Sequence, residues 1–190
     1  MNLFPPIILA SKSPRRQELL TLMGIDFRIV LKDVDESYPE GLSATEIAVH
    51  IAEKKAKAFD DVLEPNELVL TADTIVCLDD LILGKPDSEE HACEMLHLLS
   101  GKMHRVITGV AFLHNDNLHS FSELTEVYFK PITATEINNY VTTCKPMDKA
   151  GSYGIQEWPG LVAIEKIVGS YTNVVGLPTH RVYEELLKYI

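Results

Sequence analysis

The chain has 190 residues, of which 46% are hydrophobic and 24% charged, enough for a full core in one domain or two closely joined lobes. Its 28 acidic residues against 17 basic ones give a net charge of −11, which excludes a broad basic footprint for duplex DNA or RNA. No stretch reaches the ~20 apolar residues of a membrane span, and the three cysteines, Cys77, Cys93 and Cys144, are odd in number and lack CxxC spacing, which fits reduced thiols in a cytosolic setting rather than a disulfide framework.

The first apolar run, residues 3–10, has the look of a signal h-region. However, no basic residue precedes it, Pro5-Pro6 breaks it and basic residues follow, so it reads as a buried first strand. Ser13 as N-cap, Pro14 in the first turn and Gly24 as the stop predict a helix over 14–23. A short strand follows at 27–31, then a polar loop with Asp33, Asp35, Glu36, Pro39 and Gly41. Ser43-Ala44-Thr45-Glu46 has capping-box spacing and starts a helix to residue 59. Residues 68–78 and 81–83 read as strands joined at Asp79-Asp80, and Gly84-Lys85-Pro86 breaks the second. Asp87 or Ser88 caps a helix to 99, ended by Ser100-Gly101. Strands at 105–113 and 118–129 flank a turn at Asn115-Asp116-Asn117. A second capping box, Thr133 to Glu136, opens a helix to 141. Residues 145–159 are irregular, 161–168 a strand, and 178–189 a closing helix. The alternation predicts a mixed α/β fold.

Several segments could carry chemistry. In Ser11-Lys12-Ser13-Pro14-Arg15-Arg16, two hydroxyls and two arginines stand where a strand hands over to a helix. A helix N-terminus offers open N–H groups and a positive dipole end, and arginine adds forked donors, so the run suits phosphate. It equally suits a solvated surface helix with a simple cap. Asp73 interrupts a strongly apolar strand. A carboxylate there must be paired, ligate a metal, titrate usefully or bond backbone N–H groups at a strand edge. Lys85 lies in a tight loop after the same hairpin. His104 has no second His or Cys at zinc-ligand spacing, so structural contacts are its default. The glycines of Asp148-Lys149-Ala150-Gly151-Ser152-Tyr153-Gly154-Ile155-Gln156 permit close backbone approach to a ligand, or a flexible surface loop. No P-loop, Rossmann fingerprint or GxSxG elbow is present.

Together these segments resemble the Maf family of nucleoside triphosphate pyrophosphatases, over residues 8–178. The likeness rests on Ser11-x-Ser13-Pro14-Arg15-Arg16, Asp35-Glu36, Ala52-x-x-Lys55-Ala56, Ala72-Asp73-Thr74 and Gly84-Lys85-Pro86. It continues through Ser100-Gly101-x-x-His104-x-Val106-x-Thr108-Gly109, the Asp148 to Gln156 segment, and Asn173-Val174-Val175-Gly176-Leu177-Pro178. The resemblance implies one Maf-like domain over residues 1–190, two-lobed with a central cleft and related to inosine triphosphatases. It implies hydrolysis of a nucleoside triphosphate to monophosphate and pyrophosphate, with a divalent cation, Mg²⁺ or Mn²⁺. Asp73 matches the family's proton acceptor. Ser11, Ser13, Arg15, Arg16, Lys55 and Lys85 would meet phosphate, and Glu36 with Asp73 would hold the metal. Whether Asp73 is base or metal ligand stays open. Family members are cytoplasmic and often homodimeric; nucleic acid and membrane are not implied partners.

Arg15, Thr74 and Gln156 stand at positions that separate branches of the family, and this trio resembles the dTTP/UTP branch. The sister branch, acting on 7-methyl-GTP, carries Trp, Gln and Glu there. A Gln amide offers donor and acceptor together, as a uracil or thymine edge requires, whereas a carboxylate only accepts. Trp158-Pro159-Gly160 departs from the small glycine-rich turn common in the family. Two rivals remain at this point. One is a nucleotide-binding regulator of septum formation and cell division without significant turnover. The other is an enzyme that clears non-standard nucleotides generally, modified pyrimidines included.

Overall fold

The computed structural model describes residues 3–60 and 63–190. In chain order the elements are β1 (Ile7–Leu9), α1 (Pro14–Leu22), β2 (Phe27–Ile29), α2 (Ala44–Lys57), β3 (Leu68–Leu78), β4 (Leu81–Leu83) and α3 (Glu89–Leu99). Then come β5 (Met103–His114), β6 (Asn117–Phe129), α4 (Ala134–Cys144), α5 (Trp158–Val162), β7 (Ile164–Val168), α6 (Tyr171–Val175) and α7 (Thr179–Leu186). Short 3-10 turns lie at Ala150–Ser152 and Leu187–Tyr189. Among the described residues the strands form one sheet, ordered β2-β1-β3-β5-β6-β7, with β4 on β3. β1 runs parallel to β2 and β3, while β4 is antiparallel to β3 and β7 to β6, so the sheet is mixed, as expected.

Local chemistry explains most boundaries. Both capping boxes form: Ser43 Oγ accepts from the Glu46 N–H while the Glu46 carboxylate accepts from the Ser43 N–H, and Thr133 and Glu136 do the same. Ser88, not Asp87, caps α3 by accepting from the His91 N–H. Asn115 and Asp116 both take positive φ, which makes the two-residue hairpin turn between β5 and β6.

Three expectations need correction. The strand expected over 161–168 begins only at Ile164, because Trp158–Val162 winds into α5 with Pro159 in its first turn. A short apolar run such as Leu161-Val162 fits either element by periodicity alone. α4 runs past 141 to Cys144 and ends on Lys145 in the left-handed region, just before Pro146. The closing helix stops at Leu186, and α6 adds a single turn ahead of it.

The chain divides into two units, one comprising the chain up to Asp73 with Thr108–Glu123 and Gly176–Ile190, the other Thr74–Ile107 with Leu124–Val175. In the first unit the two-residue period of the strands sorts the core. Ile7, Leu9, Leu68, Leu70, Ala72, Val110 and Phe112 pack with Leu20 of α1 and Val182 and Leu186 of α7. Ile8, Val69, Ala111 and Leu113 point the other way, onto Ala52 and Ala56 of α2 and Phe59. Gly109 lies on this second face, and a Cβ there would stand 2.3 Å from the backbone carbon and oxygen of Ala48. The missing side chain lets α2 rest directly on β5.

In the second unit α3 packs against α4 and against the 3-10 turn at Ala150–Ser152. His104, Phe129 and Tyr153 meet edge to face, with ring centroids 5.0 to 5.4 Å apart. His104 is fully buried and its Nε2 lies 2.7 Å from the Tyr153 hydroxyl. Its Nδ1 has no hydrogen-bond partner among the described residues. Burial pushes its pKa down from 6.5 to about 4, so the folded chain holds a neutral imidazole. The unfolded chain binds this proton first, so the stability contributed by neutral His104 is present above pH 6.5 and is lost as pH falls toward 4. Denaturant unfolding between those values is expected to lose up to about 1.4 kcal/mol per pH unit to this group. A His104→Gln variant should show a correspondingly flatter slope; an unchanged slope would exclude His104 as its source.

Candidate functional site

β3 is buried along its length except at Asp73 and Thr74, which are half-buried. Alternation puts Val69, Thr71 and Asp73 on the face that meets α2. Thr71 Oγ1 donates to the Ala52 carbonyl at 2.7 Å. Three residues further along α2, on the same side of the helix, Lys55 reaches Asp73, with Nζ 2.7 Å from Oδ1. The same ammonium lies 2.8 Å from Glu36 Oε1. Lys55 and Asp73 side chains are 17% and 16% exposed, Glu36 53%. The preceding residues repeat the pairing, since Lys54 Nζ lies 2.9 Å from Asp35. Hydrogen bonds from Ser37 and Lys54 hold the Asp35 carboxyl down at about 2. The loop bearing Glu36 is thereby tied to α2 at two successive acids.

The Ser11–Arg16 run wraps toward the same strand. Ser13 sits at the N-cap position of α1 but makes no side-chain cap bond. Ser11 instead shapes the turn before the helix: its buried Oγ accepts from the Ser13 N–H at 3.2 Å and from Arg16 Nη1 at 3.3 Å. Arg16 Nη1 also donates to the Ala72 carbonyl, and Nε to the Gly176 carbonyl, both at 2.8 Å. The guanidinium therefore grips the backbone immediately before Asp73. Burial lowers its pKa, the Asp73 and Glu36 carboxylates pull it back up, and Arg15 adds to the lowering. Arg15 and Arg16 occupy the first turn of α1, which holds no acidic residue. Two cations at the positive end of a helix are unfavourable by themselves and become favourable when an anion docks there.

The first unit thus gathers Ser11, Arg16, Glu36, Lys55 and Asp73 into one contact network, with Ser13 and Arg15 beside it in the chain. Thr74, Lys85 and Gln156 belong to the second unit. There the Gly84 carbonyl accepts from the Gly151 N–H at 3.1 Å, joining the Gly84-Lys85-Pro86 loop to the Asp148 to Gln156 segment. Gly151 has φ of +67°, and a Cβ on it would stand 2.9 Å from Val76 Cγ1. Lys85 and Gln156 are exposed. Gln156 is the third residue of a turn closed by the Glu157 N–H on the Gly154 carbonyl at 3.0 Å.

Among the described residues no group of three or more His, Cys, Asp or Glu is placed to hold a metal ion. Glu36 and Asp73 nevertheless turn two carboxylates toward one cation, here the Lys55 ammonium. A small hard ion such as Mg²⁺ takes one or two protein carboxylates and completes its shell with water and substrate phosphate, so this donor set fits it in company with a nucleotide.

A family model described as Maf-like protein matches residues 6–189. The chain belongs to the Maf family. Its Maf relatives include a protein named dTTP/UTP pyrophosphatase from Phocaeicola vulgatus, 51% identical over 183 residues, covering 96% of this chain and 95% of the relative. A dTTP/UTP pyrophosphatase from Bacteroides fragilis is 50% identical over 181 residues, covering 95% and 94%. Among solved structures, a HAM1 protein from Coxiella burnetii matches with a TM-score of 0.45 and 17% identity over 66% of this chain and 73% of that one.

Within this Maf chain, sequence reading missed the Lys54–Asp35 pair, the carbonyl contacts of Arg16, and a polar cluster of Tyr140, Lys149 and Glu157 behind the Gln156 turn. Consecutive acids Asp35-Glu36 opposite consecutive lysines Lys54-Lys55 were a signal for the first; the others had none. No helix of the described residues is long and apolar enough to cross a membrane. Cys77, Cys93 and Cys144 are all free thiols.

Proposed function

We propose that this chain is a nucleoside triphosphate pyrophosphatase acting in the cytoplasm, which hydrolyses dTTP and UTP between the α and β phosphorus atoms to the monophosphate and pyrophosphate. The observation that carries the reading is the convergence of Asp73 and Glu36 on Lys55, with the arginine-bearing start of α1 bonded to the adjoining backbone. The names of relatives at about half identity support the substrate. The net charge of −11 favours a small anionic ligand over a nucleic acid.

Asp73 orients the attacking water or takes its proton, from a strand rigid enough to hold it. Lys55 fixes the carboxylate and adds positive charge toward the triphosphate. Ser11, Ser13, Arg15 and Lys85 donate to phosphate oxygens, and Arg16 adds charge while it anchors the backbone before Asp73. Glu36 and Asp73 would hold a divalent cation, Mg²⁺ or Mn²⁺, which would supply charge neutralisation on the phosphates. Arg15, Thr74 and Gln156 select the base, with the Gln156 amide matching the donor and acceptor of a pyrimidine edge.

The test is the ratio of kcat/KM for dTTP and UTP to that for 7-methyl-GTP and the purine triphosphates. The wild-type chain is expected to favour the pyrimidines. Gln156→Glu should lower kcat/KM for dTTP at least about tenfold, since it leaves a polar group of the bound base facing a like acceptor. An unchanged dTTP to 7-methyl-GTP ratio would remove Gln156 from base selection.

A further inference from the structure

Gln156 is exposed, and an exposed amide selects a base only if its backbone is held still. The turn that carries it has an unusual support. The Tyr140 hydroxyl, from α4, accepts from the Gly154 N–H at 3.2 Å and donates to the Glu157 carboxylate. One oxygen thereby spans the first and last residues of the four-residue turn. The other Glu157 oxygen lies 3.1 Å from Lys149 Nζ, and that lysine side chain is only 10% exposed. Gly154 makes room for this arrangement, since a Cβ there would lie 2.9 Å from the Glu157 Cδ. On the far side α5 closes in: a Cβ on Gly160 would stand 1.7 Å from the Ile155 carbonyl oxygen. Trp158, at the start of α5, stacks on the Tyr140 ring with centroids 6.3 Å apart.

We propose that Tyr140 and Glu157 are positioning residues for base selection, clamping the Gly154 to Glu157 turn so that Gln156 is presented in one orientation. The inference rests on the reading of Gln156 as the base-selecting residue. It also gives Trp158-Pro159-Gly160 a role: these residues start the helix that backs the turn, in place of a glycine-rich loop.

Tyr140→Phe keeps the buried ring and deletes only the hydroxyl. With dTTP it is expected to raise KM about tenfold while kcat stays within about twofold, and to narrow the preference for dTTP over purine triphosphates by a similar factor. The same change made in a Gln156→Ala chain should have less than a twofold effect on KM, because the residue being positioned is gone. Equal effects in the two backgrounds, or no KM effect in the wild-type background, would overturn the proposal. A Gln156→Ala chain with unaltered base preference would instead overturn the reading beneath it. Thermal unfolding of each variant identifies a merely structural role, which would lower Tm equally in both backgrounds and leave base preference unmoved.

Discussion

Replacing Asp73 with asparagine is expected to lower kcat for dTTP by about a hundred- to ten-thousandfold, the range over which a positioned acid or base contributes. Asparagine keeps the shape of the side chain on β3 and removes the charge that faces Lys55 and Arg16. Lys55 retains Glu36 as a partner, so the variant leaves no buried ammonium stranded and should remain folded. KM should change much less than kcat, because the Ser11–Arg16 run and the Gln156 turn, the proposed contacts to phosphate and base, are untouched. Titration with Mn²⁺ separates the two roles open to Asp73. Recovery at high metal marks a ligand whose loss weakens binding of the ion, and a deficit that persists at saturation marks a base. Near-normal turnover at ordinary metal concentration would exclude both.

The second large effect is expected at Gly109, where α2 rests on β5. A methyl group there would stand 2.3 Å from the Ala48 backbone, and backbone cannot step aside as a flexible side chain does. Gly109→Ala should therefore destabilise the chain by about 3–5 kcal/mol, beyond ordinary overpacking, and lower Tm by roughly 10 °C. Because α2 carries Lys55, the displaced helix also draws the ammonium from Asp73, so activity should fall even where the variant is folded. Gly84→Ala is the control: nothing lies within 4 Å of a Cβ there, and stability should stay within about 0.5 kcal/mol. A Gly109→Ala chain with unchanged Tm would contradict the close contact of α2 with β5.

Much of this is legible in the sequence. The bounds of β3 and β4 follow from apolar runs and from the Asp79-Asp80 turn. Both capping boxes announce their helices, and Asp73 betrays itself as a charge in an apolar strand. The rest depends on distant parts of the chain meeting. Arg16 bonds a carbonyl 160 residues away, and no local pattern marks Gly176 as its partner. Ser13 stands at the N-cap position with a capping side chain yet makes no cap bond, while Ser11 bonds the Ser13 N–H and Arg16 instead. Tyr140 reads as an ordinary core residue of α4 until the turn at residues 154–157 folds onto its hydroxyl. α5 escaped because five residues are too few for a helical period to declare itself.

The most direct test of the central claim is the product released from dTTP. With Mg²⁺ or Mn²⁺ present, the wild-type chain should release dTMP and pyrophosphate in equal amounts, and removal of the ion with a chelator should abolish release. Orthophosphate with dTDP would place cleavage at the wrong bond, and binding of dTTP without turnover at saturating metal would contradict an enzymatic role.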